Sequence, residues 1–550
     1  MNKFDYQLDR RPANHQPLTP LTFLDRAADV FPNRTAVIDK DRRFTWQEYA
    51  SRCRQLGRAL IGQGVQRGDT VSIISTNSPA MLEAQFGVPL AGAVLNTINI
   101  RLDGDTVAYI LEHSEAKALL VERQFLELAK TAVRASGLDI FIVEIDDKGE
   151  QAQSEPLGAV EYEAFLADAP DNIELRYPTD EWDAISLNYT SGTTGRPKGV
   201  VYHHRGAYLN ALGQIFNANL LGKVPVYLWT LPLFHCNGWC FPWALAAVGA
   251  TQVCLSKVSA SDIYQAIESH AVTHFCCAPT VLGFLIDGKP PTWNIPEEPI
   301  NVVCAGASPP ASILEKVEQL GFSPIHVYGM TEFHGITTLC QPQSEWQQLE
   351  PQVRLGHLGH QGVRTIVMDE MQVCRIGGYE PVPKDGKTMG EVLFRGNLGM
   401  KGYLKNPSAT NEAFADDWYH TGDLAVVHDN GYIEIKDRSK DIIISGGENI
   451  SSLEIESVIY QYPGVTGVAV VAVKDDKWGE VPCALVEFSP DVDHPANDTM
   501  TAFCREKLPG FKVPKHFVFE PLTRTATGKL QKFKLRAHAE TIVSARLSQS

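Results

Sequence analysis

With 550 residues, 44% hydrophobic and 21% charged, the chain is too long for one ordinary core and too apolar for disorder, so two or more domains are expected. Its net charge of −16, from 49 basic and 65 acidic residues, excludes a general nucleic-acid binder, which needs a basic face to displace counterions. A local cationic pocket for phosphates remains compatible with that charge.

The opening MNKFDYQLDRRPANHQP has no apolar core, so it does not read as a secretory signal. Next comes a strand over Thr70–Ile74 and a helix over Pro79–Gly92. Ala118–Val121 reads as a strand, Gln124–Ser136 as a helix and Phe141–Ile145 as a strand. Ile185–Tyr189 is a further apolar run, and the most apolar region, Trp229 to Leu255, is broken by Pro232, His235, Asn237 and Pro242. No integral membrane segment is therefore expected. Thr273–Cys277, Val302–Cys304 and Ile325–Val327 continue the alternation of strands with helical stretches, which implies an α/β fold with largely parallel sheets. After Gly431 the texture changes. Tyr432 to Asp437 alternates as a strand and runs into a charged turn, Arg438-Ser439-Lys440-Asp441. A compact unit follows, with helices near Ser452–Gln461 and Asn497–Leu508 and strands at Gly467–Val473 and Pro482–Phe488. The expected domains are residues 1–437 and 438–550. The eleven cysteines have no CxxC or zinc-like spacing, which fits reduced thiols in a cytoplasmic protein.

The segment Thr190-Ser191-Gly192-Thr193-Thr194-Gly195-Arg196-Pro197-Lys198-Gly199 concentrates hydroxyls, glycines and cations behind the Ile185–Tyr189 strand. Glycines let backbone amides approach an anion, hydroxyls add donors, and Lys198 adds a charge-assisted contact. It is not a Walker loop, because the GxxxxGK[ST] spacing is missing. Three further segments follow in order: Tyr328-Gly329-Met330-Thr331-Glu332, Trp418-Tyr419-His420-Thr421-Gly422-Asp423, and Thr525-Ala526-Thr527-Gly528-Lys529. Together they resemble, over nearly the whole chain, the adenylate-forming superfamily of acyl-CoA synthetases, adenylation domains and luciferases.

The resemblance implies a large N-terminal domain of parallel-rich sheets with helices and a small, mobile α+β C-terminal domain. It implies an enzyme that uses ATP, Mg²⁺ and coenzyme A. Residues Thr190 to Gly195 with Lys198 would hold phosphates. Gly306-Ala307-Ser308 would wall the adenine and Tyr328 would stack on it beside Gly329. Thr331 would contact the α-phosphate, and Glu332 would hold the metal. Asp423, with Arg438, would take the ribose, and Lys529 would be the catalytic lysine. Lys440 would be the hinge between two domain orientations, and Gly446-Gly447-Glu448 would face the CoA channel. His420 stands where relatives often carry Arg, and it receives no role.

The segment Leu231-Pro232-Leu233-Phe234-His235-Cys236-Asn237-Gly238-Trp239 bears on the acid. By resemblance His235 gates the passage from acyl pocket to CoA, Trp239 closes the pocket floor, and Gly306 and Gly329 line the acyl site. No Lys or Arg stands in this segment, so a small, mainly uncharged acid is expected. The first choice is 3-(methylthio)propionate or a C4 to C8 acid, activated as an acyl-adenylate and passed to CoA with release of AMP and pyrophosphate. The alternatives are an enzyme that charges a carrier protein and an aryl-acid CoA ligase. The oligomeric state, a homodimer included, stays open.

Overall fold

The computed structural model describes residues 3–4, 7–146, 160–190, 196–446, 448–475, 477–524 and 530–547. Ser191 to Gly195, Gly447 and Lys529, all expected site residues, lie outside the described residues. The chain divides into two compact units.

The first unit comprises Met1–Leu339, Arg364–Asp369 and Gly396–Glu412. Its eight-stranded sheet runs in the order Gly402–Tyr403, Lys198–His203, Ala184–Thr190, Val94–Thr97, Thr70–Ile74, Ala116–Glu122, Phe141–Ile145 and Val160–Glu161. The pairs from Ala184–Thr190 to Val160–Glu161 are parallel. The expected strands and the helix Pro79–Leu90 are therefore in place. Every residue of that helix is buried, so it has no polar stripe and period alone could not reveal it. A second sheet runs from Gly335–Leu339 through Phe322–Met330, Ile300–Cys304, His274–Cys277, Val226–Leu228, Thr251–Val253 and Thr35–Asp39 to Arg42–Thr45.

The second unit comprises Cys340–Val363, Glu370–Arg395 and Ala413–Ser550. It holds an antiparallel sheet of Glu370–Cys374, Gly390–Arg395, Tyr419–Val427 and Ile433–Arg438. A five-stranded sheet follows, built round the long antiparallel pair Val465–Asp475 and Gly479–Phe488. One of its faces packs Val468, Val470, Ala484 and Val486 against Ile455, Ile459, Met500 and Cys504 of two helices. The other packs Val471, Cys483 and Leu485 against Leu535, Ala539 and Val543 of the last helix, Lys532–Leu547. Among the described residues no helix is long and apolar enough to cross a membrane.

Candidate active site

In the first unit, strands Ala184–Thr190 and Lys198–His203 pair antiparallel, with Thr190 opposite Lys198. Both ends of the glycine-rich segment are therefore fixed at one place. The Lys198 ammonium lies 4.7 Å from the centre of the Tyr403 ring, a cation–π contact. The Tyr403 hydroxyl donates to Glu332 Oε1 at 2.9 Å, and the Glu332 carbonyl accepts from the Met400 amide at 2.8 Å. Lys198 and Glu332 are thus linked through one phenol. The sequence reading missed Tyr403. Glu332 is a hard oxygen donor with a fixed orientation, which fits Mg²⁺. Bound there, the ion would supply charge neutralisation for a polyphosphate. Tyr403→Phe should keep the ring under Lys198 and release Glu332. Because a bond to a charged group is worth ~1.5–3 kcal/mol, the Mg²⁺ concentration for half-maximal pyrophosphate exchange should rise about tenfold. A titration in which that concentration does not move would remove Tyr403 from the site.

Tyr328 and Gly329 lie near the end of Phe322–Met330, which turns back through a short 3-10 turn, Thr331–Phe333, into Gly335–Leu339. Gly329 could carry no side chain, since a Cβ there would fall 1.7 Å from the Gly335 carbonyl oxygen. Gly306, Ala307 and Ser308 are exposed at the end of the neighbouring parallel strand Ile300–Cys304. The segment expected to wall the adenine and the Tyr328 strand thus end side by side.

The segment after His235 has an unforeseen backbone. Cys236, Asn237, Gly238, Trp239 and Cys240 all have positive φ, between 46° and 65°. Asn and Gly tolerate the left-handed region, but Cys and Trp do so at roughly 1–2 kcal/mol each. A Cβ on Gly238 would lie 2.8 Å from the Trp229 ring. The Cys236 thiol is 3.1 Å from Thr331 Oγ1, and burial pushes it up to about 11, so it is a neutral hydrogen-bonding group. Cys240 Sγ donates to the His334 carbonyl at 3.4 Å. Trp239 lies against Gly335, where a Cβ would come within 3.4 Å of its Cα. Trp243 is fully buried and donates from Nε1 to the Gln85 carbonyl at 3.1 Å, so it belongs to the core. His235 is partly buried at the head of this turn. His334 is fully buried and stacked on Tyr202 with centroids 3.8 Å apart, and burial holds its imidazole well below the usual range. Sequence reasoning missed it, and nothing in its local pattern marks it out.

In the second unit, the expected pair is formed. Arg438 Nε lies 3.0 Å from Asp423 Oδ1, and the two residues face each other across strands Tyr419–Val427 and Ile433–Arg438. Asp423 is only 4% exposed. Glu391, which no motif singles out, shapes the turn ahead of it. Its Oε1 accepts from the Gly422 amide at 3.0 Å, and its Oε2 lies 3.1 Å from His420 Nδ1. A buried carboxylate held by a guanidinium, with the adjoining turn fixed, is suited to paired ribose hydroxyls. Lys440 follows in the turn after Arg438, and its carbonyl accepts from Arg536 Nη2 at 2.9 Å. Gly446 has φ 61°, donates its amide to the Trp478 carbonyl at 2.8 Å, and has the Trp478 ring where a Cβ would stand, 2.7 Å away. Glu448 is exposed.

Residues 24–404 match the AMP-binding enzyme family, and residues 454–529 match the C-terminal domain of the same enzymes. The chain belongs to the AMP-binding enzyme family. It is 48% identical to an acetate/butyrate–CoA ligase of Arabidopsis thaliana described as peroxisomal, over 97% of this chain and 96% of the relative. It is 44% identical to a peroxisomal trans-cinnamate:CoA ligase of Petunia hybrida, over 97% and 96%. Its fold is similar to that of the o-succinylbenzoate CoA synthetase of Bacillus subtilis. In complex with its acyl-adenylate intermediate that enzyme gives a TM-score of 0.80 at 28% identity, covering 95% of this chain and 98% of the other. In complex with ATP and magnesium it gives 0.78 at 28%, covering 93% and 98%. The enzyme is therefore an AMP-forming acid–thiol ligase that makes acyl-CoA through an adenylate, with ATP, Mg²⁺ and CoA.

Proposed function

We propose that the enzyme activates a short- or medium-chain, uncharged carboxylic acid, with 3-(methylthio)propionate and C4 to C8 acids foremost. The observation that carries this reading is the wall of the Cys236–Cys240 turn. Among the described residues, the side chains that hydrogen-bond this turn are Gln85, Ser186, Asn188 and Thr331, all neutral. They offer no counter-charge to a second carboxylate or a sulfonate, and burying such a group unpaired is costly. A thioether and an aliphatic tail of similar size differ little in a hydrophobic pocket, so related acids should be used within one to two decades of each other. The aryl-acid reading is second, and the trans-cinnamate relative supports it. ATP–pyrophosphate exchange over a panel of aliphatic, thioether and aryl acids, with and without CoA, is the test. Exchange with dicarboxylates or aryl acids alone would reject the first reading.

In this reading the ends of the glycine-rich segment, with Lys198, orient the polyphosphate, and Glu332 holds its metal. Thr331 meets the α-phosphate, and the Asp423–Arg438 pair takes the ribose. Attack by the carboxylate oxygen on the α-phosphorus forms the P–O bond of the adenylate and expels pyrophosphate. The CoA thiolate then attacks the acyl carbon and expels AMP. Positioning and fixed electrostatics are the main levers in such transfers. The domain division at 437/438 belongs to this proposal, supported by the family matches on either side of it. A reducing compartment is supported by eleven free, buried cysteines. With Lys440 as hinge, Lys440→Pro should slow thioester formation far more than pyrophosphate exchange, because a ring that fixes φ obstructs a backbone rotation. Equal rates in both half-reactions would place the hinge elsewhere.

A further inference from the structure

The left-handed turn Cys236–Cys240 is held by one side chain that neither the adenylation motifs nor the family resemblance singles out. Asn237 is 0% exposed. Its Oδ1 accepts from Ser186 Oγ at 3.0 Å and from Asn188 Nδ2 at 2.6 Å. Its Nδ2 donates to Gln85 Oε1 at 2.8 Å, and its amide donates to Asn188 Oδ1 at 3.2 Å. Gln85 and Ser186 are 0% exposed and Asn188 is 2% exposed. Gln85 stands on the buried helix Pro79–Leu90, whereas Ser186 and Asn188 stand on the strand Ala184–Thr190 that leads into the glycine-rich segment.

This network has a direction. A buried carboxamide that loses any one partner leaves a desolvated donor or acceptor behind, so the four groups lock one another. Backbone in a sparsely populated region persists only where its surroundings over-determine it. Here the over-determination is Asn237 on one side, the missing Cβ of Gly238 under Trp229 on another, and the Cys236–Thr331 contact on the third. The residue that this geometry delivers is Trp239, which lies against Gly335 opposite Met330, two residues along the strand from Tyr328. Trp239 is 7% exposed.

We infer that Asn237 is a positioning residue that sets the depth of the acyl pocket: its carboxamide holds the left-handed turn, and the turn holds the Trp239 indole over Gly335. This rests on the reading of Trp239 as the pocket floor. Asn237 touches no reacting atom. It acts by fixing where the indole stands, and so the length of acid that fits above it. The Cys236–Thr331 contact ties the same turn to the α-phosphate residue, so acid length and adenylate geometry are set from one place.

The test uses the full chain with Gln85→Met, which removes the Nδ2 partner of Asn237 at similar volume together with the Gln85 donor to the Met81 carbonyl, Ser186→Ala, which removes one of two donors to Oδ1, and Asn237→Ala. The first readout is the ratio of kcat/KM for the longest and shortest acids that the unaltered enzyme accepts. In Gln85→Met the ratio should shift toward the longer acid by about tenfold, the discrimination that one methylene carries in a hydrophobic pocket. KM for ATP should stay put. A merely structural network would lower Tm and leave the ratio alone. The second readout is a crystal structure of Gln85→Met or Ser186→Ala, in which the 236–240 backbone should relax and the indole leave its place over Gly335. An unmoved indole, or an unchanged ratio in both mild variants, overturns the inference, even if Asn237→Ala fails to fold. Absence of exchange with every acid in the unaltered enzyme would instead strike the proposed function, and the crystal structure would still decide the role of Asn237.

Discussion

Lys529→Ala is expected to abolish pyrophosphate exchange while thioester formation from supplied acyl-adenylate continues little changed. The reason lies in the charges of the two half-reactions. In the first, a carboxylate approaches the α-phosphate of ATP, so two anions must share one space. An ammonium that bonds both would offset their repulsion and align them. In the second, the electrophile is already an adenylate, and the leaving group is AMP, whose phosphate and ribose other residues hold. Removing a single charge-stabilising donor from a preorganised site costs about 10²–10³-fold in rate, and a full positive charge should cost at least as much in the adenylation step. Acetylation of Lys529 should reproduce the loss, because it removes the charge and leaves the length. Equal loss in both half-reactions would show that Lys529 serves folding or CoA capture and not adenylation. The flanks of this residue are anchored: Arg524 and Leu530 form an antiparallel bridge, and the last helix begins at Lys532.

How far the sequence carried the fold and the site follows the distance over which each feature is encoded. Alternating apolar runs gave the parallel strands of the first unit, because burial on both faces leaves an apolar signature in each strand by itself. The family resemblance paired Asp423 with Arg438, and they do stand 3.0 Å apart across neighbouring strands. The contacts that tune those parts were not legible. Tyr403 reaches Glu332 from 71 residues away, and Gln85 meets Asn237 across 152, separations that no local period records. An Asn-Gly pair signals a turn, so a bend at Asn237-Gly238 was readable. Five consecutive left-handed residues were not, because Cys and Trp have no preference for that region and only their tertiary partners hold them there. Lys532 is the converse case. Nothing in the basic stretch it shares with Lys529, Lys534 and Arg536 sets it apart, yet its side chain is only 14% exposed and is paired with Glu456.

Replacing Lys532 with methionine should therefore cost far more stability than any surface lysine in that stretch. Its ammonium is 2.7 Å from Glu456 Oε1 and bonds Ser452 Oγ at 2.5 Å. Asp437, 2% exposed, completes the cluster: its Oδ2 accepts from the Ser452 amide and hydroxyl at 2.6 Å each, and its Oδ1 accepts from the Arg438 amide at 2.8 Å. Glu456 Oε1 also accepts from the Val470 amide at 2.7 Å. The last helix is thereby pinned to the strand that carries Arg438, and Arg536, one turn on, adds its bond to the Lys440 carbonyl. Taking one partner from a buried ion cluster leaves an uncompensated charge and typically costs ~3–5 kcal/mol, against ~0–1 kcal/mol for an exposed pair. Urea unfolding of Lys532→Met should show a loss in the first range. A loss in the second would mean that water reaches the cluster. The pH dependence gives an independent check. Burial raises the Glu456 carboxyl, and Lys532 pulls it back down, so in Lys532→Met its folded pKa rises further above its unfolded value. A raised folded pKa means that the native state binds the extra proton, so the variant's stability falls as pH rises through that pKa. The gap between the variant and the unaltered enzyme should thus be widest at high pH and narrow on acidification. Adding Glu456→Gln to Lys532→Met, which removes the stranded carboxylate while keeping an acceptor for the Val470 amide, should recover part of the loss at neutral pH and flatten that dependence.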